Sequence, residues 1–141
     1  MEGLTLEYIE YIHSKEWRII CKRIHKRDRV CQGCGTRDHL DVHHKTYKNF
    51  KNESDEELIL VCRKCHNTIH ASHKLNRYGK NLSKTTGKVL ERLRMNPLKE
   101  VRRVNKKFRR KNRKKDKWAF ARKLEKQLQQ ARLHTKKEYL R

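Results

Sequence analysis

Negative charge is scarce in this chain. It holds 16 Asp and Glu against 39 Lys and Arg, a formal net charge of +23 over 141 residues. A deficit of that size turns the chain toward polyanions, which it attracts through its long-range field before any specific contact forms. Apolar residues are also sparse, at 34%, which leaves room for one small compact unit plus an extension but not for a large self-sufficient core. No apolar run approaches 18 residues, so no membrane-spanning helix is expected. The first residues carry Glu2, Glu7 and Glu10 rather than a basic stretch followed by an apolar one, so no secretory signal is expected either. A glycine-rich phosphate loop and an internal repeat are both missing, so neither a nucleotide-binding loop nor a repeat array is expected.

The charge is unevenly placed. Residues 97–141 hold 19 basic and 4 acidic side chains, whereas residues 1–78 hold 15 and 11. The nearly balanced section carries the cysteines and most histidines, and the tail is the electrostatic grip. Within the tail Arg102, Arg103, Lys106, Lys107, Arg109, Arg110, Lys111, Arg113, Lys114, Lys115 and Lys117 are the candidate nucleic-acid contacts.

Five cysteines are present, and four fall in two pairs of the same spacing, Cys31-x-x-Cys34 and Cys62-x-x-Cys65. The repeated spacing, the odd fifth residue and the missing signal favour thiolate ligands over disulfides. Four thiolates satisfy a tetrahedral structural Zn²⁺, which would brace strands too short to hold themselves. Cys21 falls in an apolar helical stripe and reads as a core residue.

Periodicity predicts a short helix over Thr5 to Ile12 with Leu6, Ile9 and either Tyr8 or Ile12 on its inward side, then a second capped by Ser14 with Trp17, Ile20, Cys21 and Ile24 as its apolar stripe. Strands are predicted at Leu40–His44 and Leu58–Val61, joined by a polar loop, with a helix from Cys65 to about Leu75 ended by Gly79. Another helix, capped by Ser83, runs to Arg94, and Pro97 opens one or two more in which Leu98, Val101, Val104 and Phe108 repeat at helical spacing.

His43 and His44 are adjacent, and on a strand adjacent side chains point to opposite faces. One of them can bind a divalent ion while its neighbour deprotonates water. His66 and His70, one helical turn apart, can complete a three-histidine metal site. A neutral imidazole beside a cation suits hydrolysis of a phosphodiester.

The stretch from Trp17 to His70, through Cys31-Gln32-Gly33-Cys34-Gly35, Leu40-Asp41-Val42-His43-His44, Leu58-Ile59-Leu60-Val61-Cys62 and Cys65-His66-x-x-x-His70, resembles the HNH, or ββα-metal, nuclease family, including its small phage and homing-type members. The resemblance implies an α+β fold with a zinc-stapled ββα core, placed at 29–78; periodicity and charge add N-terminal helices at 1–28 packing on it and a basic helical extension at 79–141. It implies a DNA endonuclease leaving 5′-phosphate and 3′-hydroxyl ends, with His43 as a ligand of the catalytic cation, His44 as general base, and His66 and His70 as the remaining metal-side histidines. Structural Zn²⁺ and a catalytic Mg²⁺ or Mn²⁺ would be the cofactors, with Ni²⁺ or Zn²⁺ as further candidates. The family has asparagine five residues before the third cysteine, where this chain has Glu57. Glutamate accepts hydrogen bonds but donates no amide hydrogen, so the loop is held differently or Glu57 orients His44.

Double-stranded DNA is the expected partner, and phosphate attraction alone leaves RNA open. Both a monomer and a homodimer through Leu124 and Leu128 remain open. The expected location is the cytoplasm or the nucleoid, or the host cytoplasm for a phage-encoded chain. The rival function is a non-catalytic zinc module that binds nucleic acid or joins a nucleoprotein assembly.

Overall fold

The computed structural model describes residues 5–139. The side chains at 116–118, 120 and 133–139 lie outside that description, and with them the sequence-based assignment of Lys117; Glu2 lies outside it as well. The elements run in the order α1 (Leu6–Ile12), α2 (Lys15–Asp28), β1 (Leu40–His44), β2 (Leu58–Cys62), α3 (Arg63–Lys74), α4 (Leu82–Met95) and α5 (Pro97–Tyr139). The chain divides into two compact units, Met1–Asn105 and Lys106–Arg141. None of the described helices is long and apolar enough to cross a membrane.

The first unit is built on a two-stranded antiparallel hairpin with Asp41 opposite Val61, His43 opposite Ile59 and His44 opposite Leu58. Strand alternation sends Asp41, His43, Ile59 and Val61 to one face and Val42, His44, Leu58 and Leu60 to the other. The first face meets α3 and α4, where Val61, Ile69, Val89, Leu90 and Leu93 form one apolar cluster. The second face meets α1 and α2, where Tyr11, Trp17, Ile24, Leu58 and Leu60 form another. The α+β core expected from sequence is therefore a ββα unit covered on both sides by helices.

Local chemistry sets the helix ends. The Thr5 hydroxyl caps α1 by accepting from the Tyr8 amide, and the Ser14 hydroxyl caps α2 by accepting from Trp17. Helix α1 buries Tyr11 with Tyr8 and Ile12 partly covered; Leu6 and Ile9, expected inward, are exposed because the aromatic side of this short helix is the one that meets the hairpin. Asn81, not Ser83, caps α4, its side chain accepting from Lys84 N. Helix α3 ends at Lys74, ahead of Gly79, because Asn76 adopts a positive φ of 52°, a conformation asparagine tolerates. The tail is one helix. Within its first turns Glu100 and Val104 are buried, whereas Leu98 is 65% exposed.

The unpaired edge of β2 is covered. Gln32 N donates to Leu60 O at 2.9 Å, and Leu60 N donates to Asp28 Oδ2 at 2.9 Å, so the knuckle and the end of α2 satisfy groups that an open edge would expose. Arg77 Nη1 donates to Glu100 Oε1 at 2.8 Å and to Ser72 Oγ at 3.1 Å. That ion pair is 9% and 4% exposed, so removing the arginine strands a buried carboxylate. Arg77→Ala is expected to cost about 3–5 kcal/mol, read as a lower urea midpoint, and Arg77→Ala with Glu100→Leu to recover most of it. A midpoint unmoved by Arg77→Ala would contradict this.

Candidate metal centres and active site

Cys31 and Cys34 sit on a tight knuckle after α2. Cys62 ends β2 and caps α3, and Cys65 lies in the first turn of that helix. Their four sulfurs lie within 4.8 Å of one another. The Cys34 and Cys62 sulfurs are 3.6 Å apart, near the edge of about 3.8 Å that a tetrahedron with Zn–S of about 2.3 Å requires, and far from a disulfide bond. Main-chain amides point at the sulfurs: Gly33 N and Cys34 N at Cys31 Sγ, and Cys65 N at Cys62 Sγ, all at 3.4 Å. A hydrogen bond from the Cys65 thiol, helped by nearby amides, lowers the Cys31 thiol to about 4 despite its burial. Donors aimed at sulfur favour the thiolate form that a metal needs. Gly33 packs closely here: a Cβ would lie 3.1 Å from Cys65 Sγ and 3.2 Å from Leu93 Cδ1, so that those neighbours would have to give by a few tenths of an ångström. The cluster can coordinate a structural zinc. Cys21 is outside it, its thiol raised to about 11 by burial.

The second cluster is His43, His66 and His70, with one ring nitrogen from each within 4.8 Å of the others. His43 comes from β1 and the other two from one face of α3. Their rings pack edge to face, with centroids 5.1 Å from His43 to each of the others. Asp41, two residues before His43 and hence on the same face, reaches His66 Nδ1 at 3.4 Å and is itself held by Arg63. This turns His66 Nε2 toward His70 Nε2, 3.0 Å away. His43 Nδ1 is buried with no hydrogen-bond partner, an arrangement that costs free energy unless something binds the lone pair. Burial, then the neighbouring imidazoles, hold His43 well below its ordinary pKa. Burial likewise lowers His70 to about 4, so both rings are neutral at pH 7. Three converging neutral imidazoles and one orphaned nitrogen fit a divalent cation.

His44 points the other way, into the α1–α2 side. It is 2% exposed and lies between two rings, stacked on Trp17 at 4.8 Å and 9° and on Tyr47 at 5.0 Å and 22°. Its Nε2 meets Glu53 Oε1 at 2.9 Å, while the Tyr11 hydroxyl donates to Glu53 Oε2 at 2.6 Å. Burial raises the Glu53 carboxyl, but the bonds from Tyr11 and His44 outweigh it and hold the group below its usual range. A carboxylate only accepts, so His44 Nε2 carries the proton in this bond, and in the neutral ring the lone pair falls on Nδ1.

Glu57 does not touch His44. Its carboxylate accepts from Asn49 Nδ2 at 2.7 Å and from Ser54 N at 2.8 Å, and its carbonyl accepts from Lys45 N at 2.8 Å. It thus closes the 45–57 loop by accepting, where an asparagine could also donate, and the carboxylate that orients His44 is Glu53 instead. The loop holds Glu53, Asp55, Glu56 and Glu57 close together; the sequence signal for Glu53 was only its place in a loop that also carries Tyr47 and Phe50.

A groove of about 750 Å³ runs past the histidine cluster, lined by His66, His70, His73, Lys45, Lys74 and Lys80, with Tyr8, Tyr47 and the start of α4 completing the wall. In the second unit, Arg109, Arg110, Lys111, Arg113, Lys114 and Lys115 are all exposed, as are Lys106 and Lys107. Arg102 and Arg103, at the end of the first unit, are exposed as well.

Searches of curated proteins and of solved structures find no match to the chain. Residues 31–72, the stretch that carries all four clustered cysteines and all three clustered histidines, match the family model described as HNH endonuclease.

Proposed function

We propose that the chain is a metal-dependent DNA endonuclease that hydrolyses phosphodiester bonds with His44 as general base. The observation that carries this reading is the division of labour across β1. Three neutral imidazoles converge on one face, with an orphaned nitrogen among them, and on the other face an imidazole is bonded to a carboxylate. A divalent cation at the three histidines supplies positive charge to the phosphodiester and to the departing 3′ oxygen. Glu53 and Tyr11 hold the His44 ring so that Nδ1 is the nitrogen free to take a proton from water. Lys45, Lys74 and Lys80 along the groove attract the phosphate backbone, and the exposed basic side chains of residues 102–115 add sequence-independent affinity. Zn²⁺ at the four thiolates braces the hairpin that carries both histidines. Imidazole ligands favour Ni²⁺ or Zn²⁺ over Mg²⁺ at the second centre.

The test is cleavage of supercoiled plasmid by protein dialysed free of loosely held cations. Added Mn²⁺, Ni²⁺ or Mg²⁺ is expected to restore nicking or linearisation, and His70→Ala, which removes a ligand, to raise the cation concentration required by more than the roughly 10–100-fold that loss of an outer-shell partner costs. Plasmid left intact with every cation would overturn the reading.

The enclosure of His44 favours a second reading, in which that ring is part of the core and the module binds nucleic acid without cutting it. In that case His44→Ala lowers stability, and DNA remains whole with the parent protein as with the variant.

A further inference from the structure

The histidine cluster shares a hydrogen bond with a residue outside those that match the family. Helix α4 packs its second turn against β1 and α3, and Thr86, 1% exposed, places Oγ1 3.0 Å from His43 Nε2. The same hydroxyl lies 2.8 Å from Leu82 O, one helical turn back. A threonine hydroxyl has one hydrogen. The carbonyl can only accept, and two acceptor oxygens 2.8 Å apart with no proton between them repel, so the hydroxyl hydrogen belongs to the Leu82 bond, the usual one for a threonine within a helix. What Thr86 then offers His43 is a lone pair. His43 must bring the proton, on Nε2, and its other nitrogen is left unprotonated. That nitrogen is Nδ1, which is buried, has no partner, and belongs to the ring that shares a cluster with His66 and His70.

We propose that Thr86 is a positioning residue that locks His43 in its Nε2–H tautomer, so that Nδ1 is the atom presented to a divalent transition-metal cation. The inference deepens the metal-dependent reading above and rests on it. Without the bond, a neutral imidazole exchanges its proton between the two nitrogens. Every molecule with the proton on Nδ1 then has no lone pair to give, and the ring is free to tilt within its slot. Asp41 does the corresponding work for His66 by reaching Nδ1, which leaves Nε2 for the cation. The two ligands are thus held through opposite nitrogens, by a strand carboxylate in one case and a helix hydroxyl in the other. Partners of this kind set ligand tautomer and orientation, and their loss costs about 10–100-fold in metal affinity.

The test uses the full chain with Zn²⁺ in the cysteine cluster and no other cation. Long-range proton–nitrogen NMR correlations of the histidine rings are expected to show His43 protonated on Nε2 and unprotonated on Nδ1. Ni²⁺ titration against a chromophoric chelator then compares variants. Thr86→Val keeps the shape and removes the acceptor; it is expected to mix the His43 tautomers and weaken Ni²⁺ binding by about 10–100-fold, while Thr86→Ser, which restores the hydroxyl, stays within about threefold of the parent. Circular dichroism establishes that each variant is folded. His43 protonated on Nδ1 in the parent, or Ni²⁺ bound by Thr86→Val as tightly as by the parent, would overturn the proposal. Should the valine variant not fold, the parent's tautomer and the serine variant decide it in the same way. Neither measurement involves DNA. Intact tautomer control in a protein that never cuts plasmid would count against the nuclease reading alone.

Discussion

Cleavage by His44→Ala is expected to fall by about 10²–10⁴-fold, the usual contribution of a positioned general base, with Ni²⁺ affinity at the three-histidine cluster unchanged. The separation is geometric. His44 and His43 leave β1 on opposite faces, and the rings and carboxylate around His44 all come from α1, α2 and the 45–57 loop. The substitution also removes a ring stacked between Trp17 and Tyr47 and one of the two side chains bonded to Glu53, so a stability loss of about 2–4 kcal/mol accompanies it. Cleavage must therefore be compared well below the variant's melting temperature. Glu53→Gln separates positioning from presence: the base is retained, but its charged acceptor is replaced by an amide that can also turn its NH₂ toward the ring. Its cleavage is expected to lie between those of the parent and His44→Ala. Cleavage by His44→Ala within about threefold of the parent, against the loss expected of a general base, would show that another group takes the proton.

Removing zinc should unfold the first unit. Binding of a structural Zn²⁺ by thiolates contributes about 10–16 kcal/mol, as large as the whole stability of a typical domain at about 5–15 kcal/mol. Here the staple joins the knuckle after α2 to the β2–α3 junction, and Cys31, Cys62 and Cys65 are also members of the apolar cluster shared with α4. Cys62→Ser is expected to lose the metal and the cooperative unfolding transition. A chelator strong enough to strip the parent should reproduce that result, and Co²⁺ reconstitution should give thiolate charge-transfer bands. Cys21→Ser serves as the control and should keep one zinc per chain, since Cys21 lies outside the cluster. Stripped protein that still melts within a few degrees of the parent would refute the staple, because a loss of even 1 kcal/mol moves the midpoint by about 4–8 °C in a domain of 60–100 residues.

What was legible in the sequence follows the range of the interactions. The two knuckles, strand β1 and the His66–His70 pair rest on spacings of two to four residues, which the backbone repeat fixes by itself. The caps at Thr5 and Ser14 are equally local. The partner of His44 was not legible, because Glu53 reaches it by the folding of a 13-residue loop, and nothing in the spacing separates Glu53 from Asp55, Glu56 or Glu57. Nor was the place of α4: Val89, Leu90 and Leu93 announced an apolar face but not that it lies on α3. Thr86 is 43 residues from His43, and a threonine inside a helix carries no periodic signal. Ser83 was a sound cap by residue type, but Asn81 lies two positions earlier, where the helix starts.

The hairpin acts as a partition between two chemistries. On the proposed reading, substitutions in α4 would reach the three-histidine cluster and leave His44 alone, whereas substitutions in α1 or α2 would do the reverse, so the two halves of the proposed reaction could be tuned separately. Slipping β1 by a single residue would turn every side chain to the opposite face, so that one of the two rooms would keep an imidazole and the other would receive Val42 or Lys45 in its place.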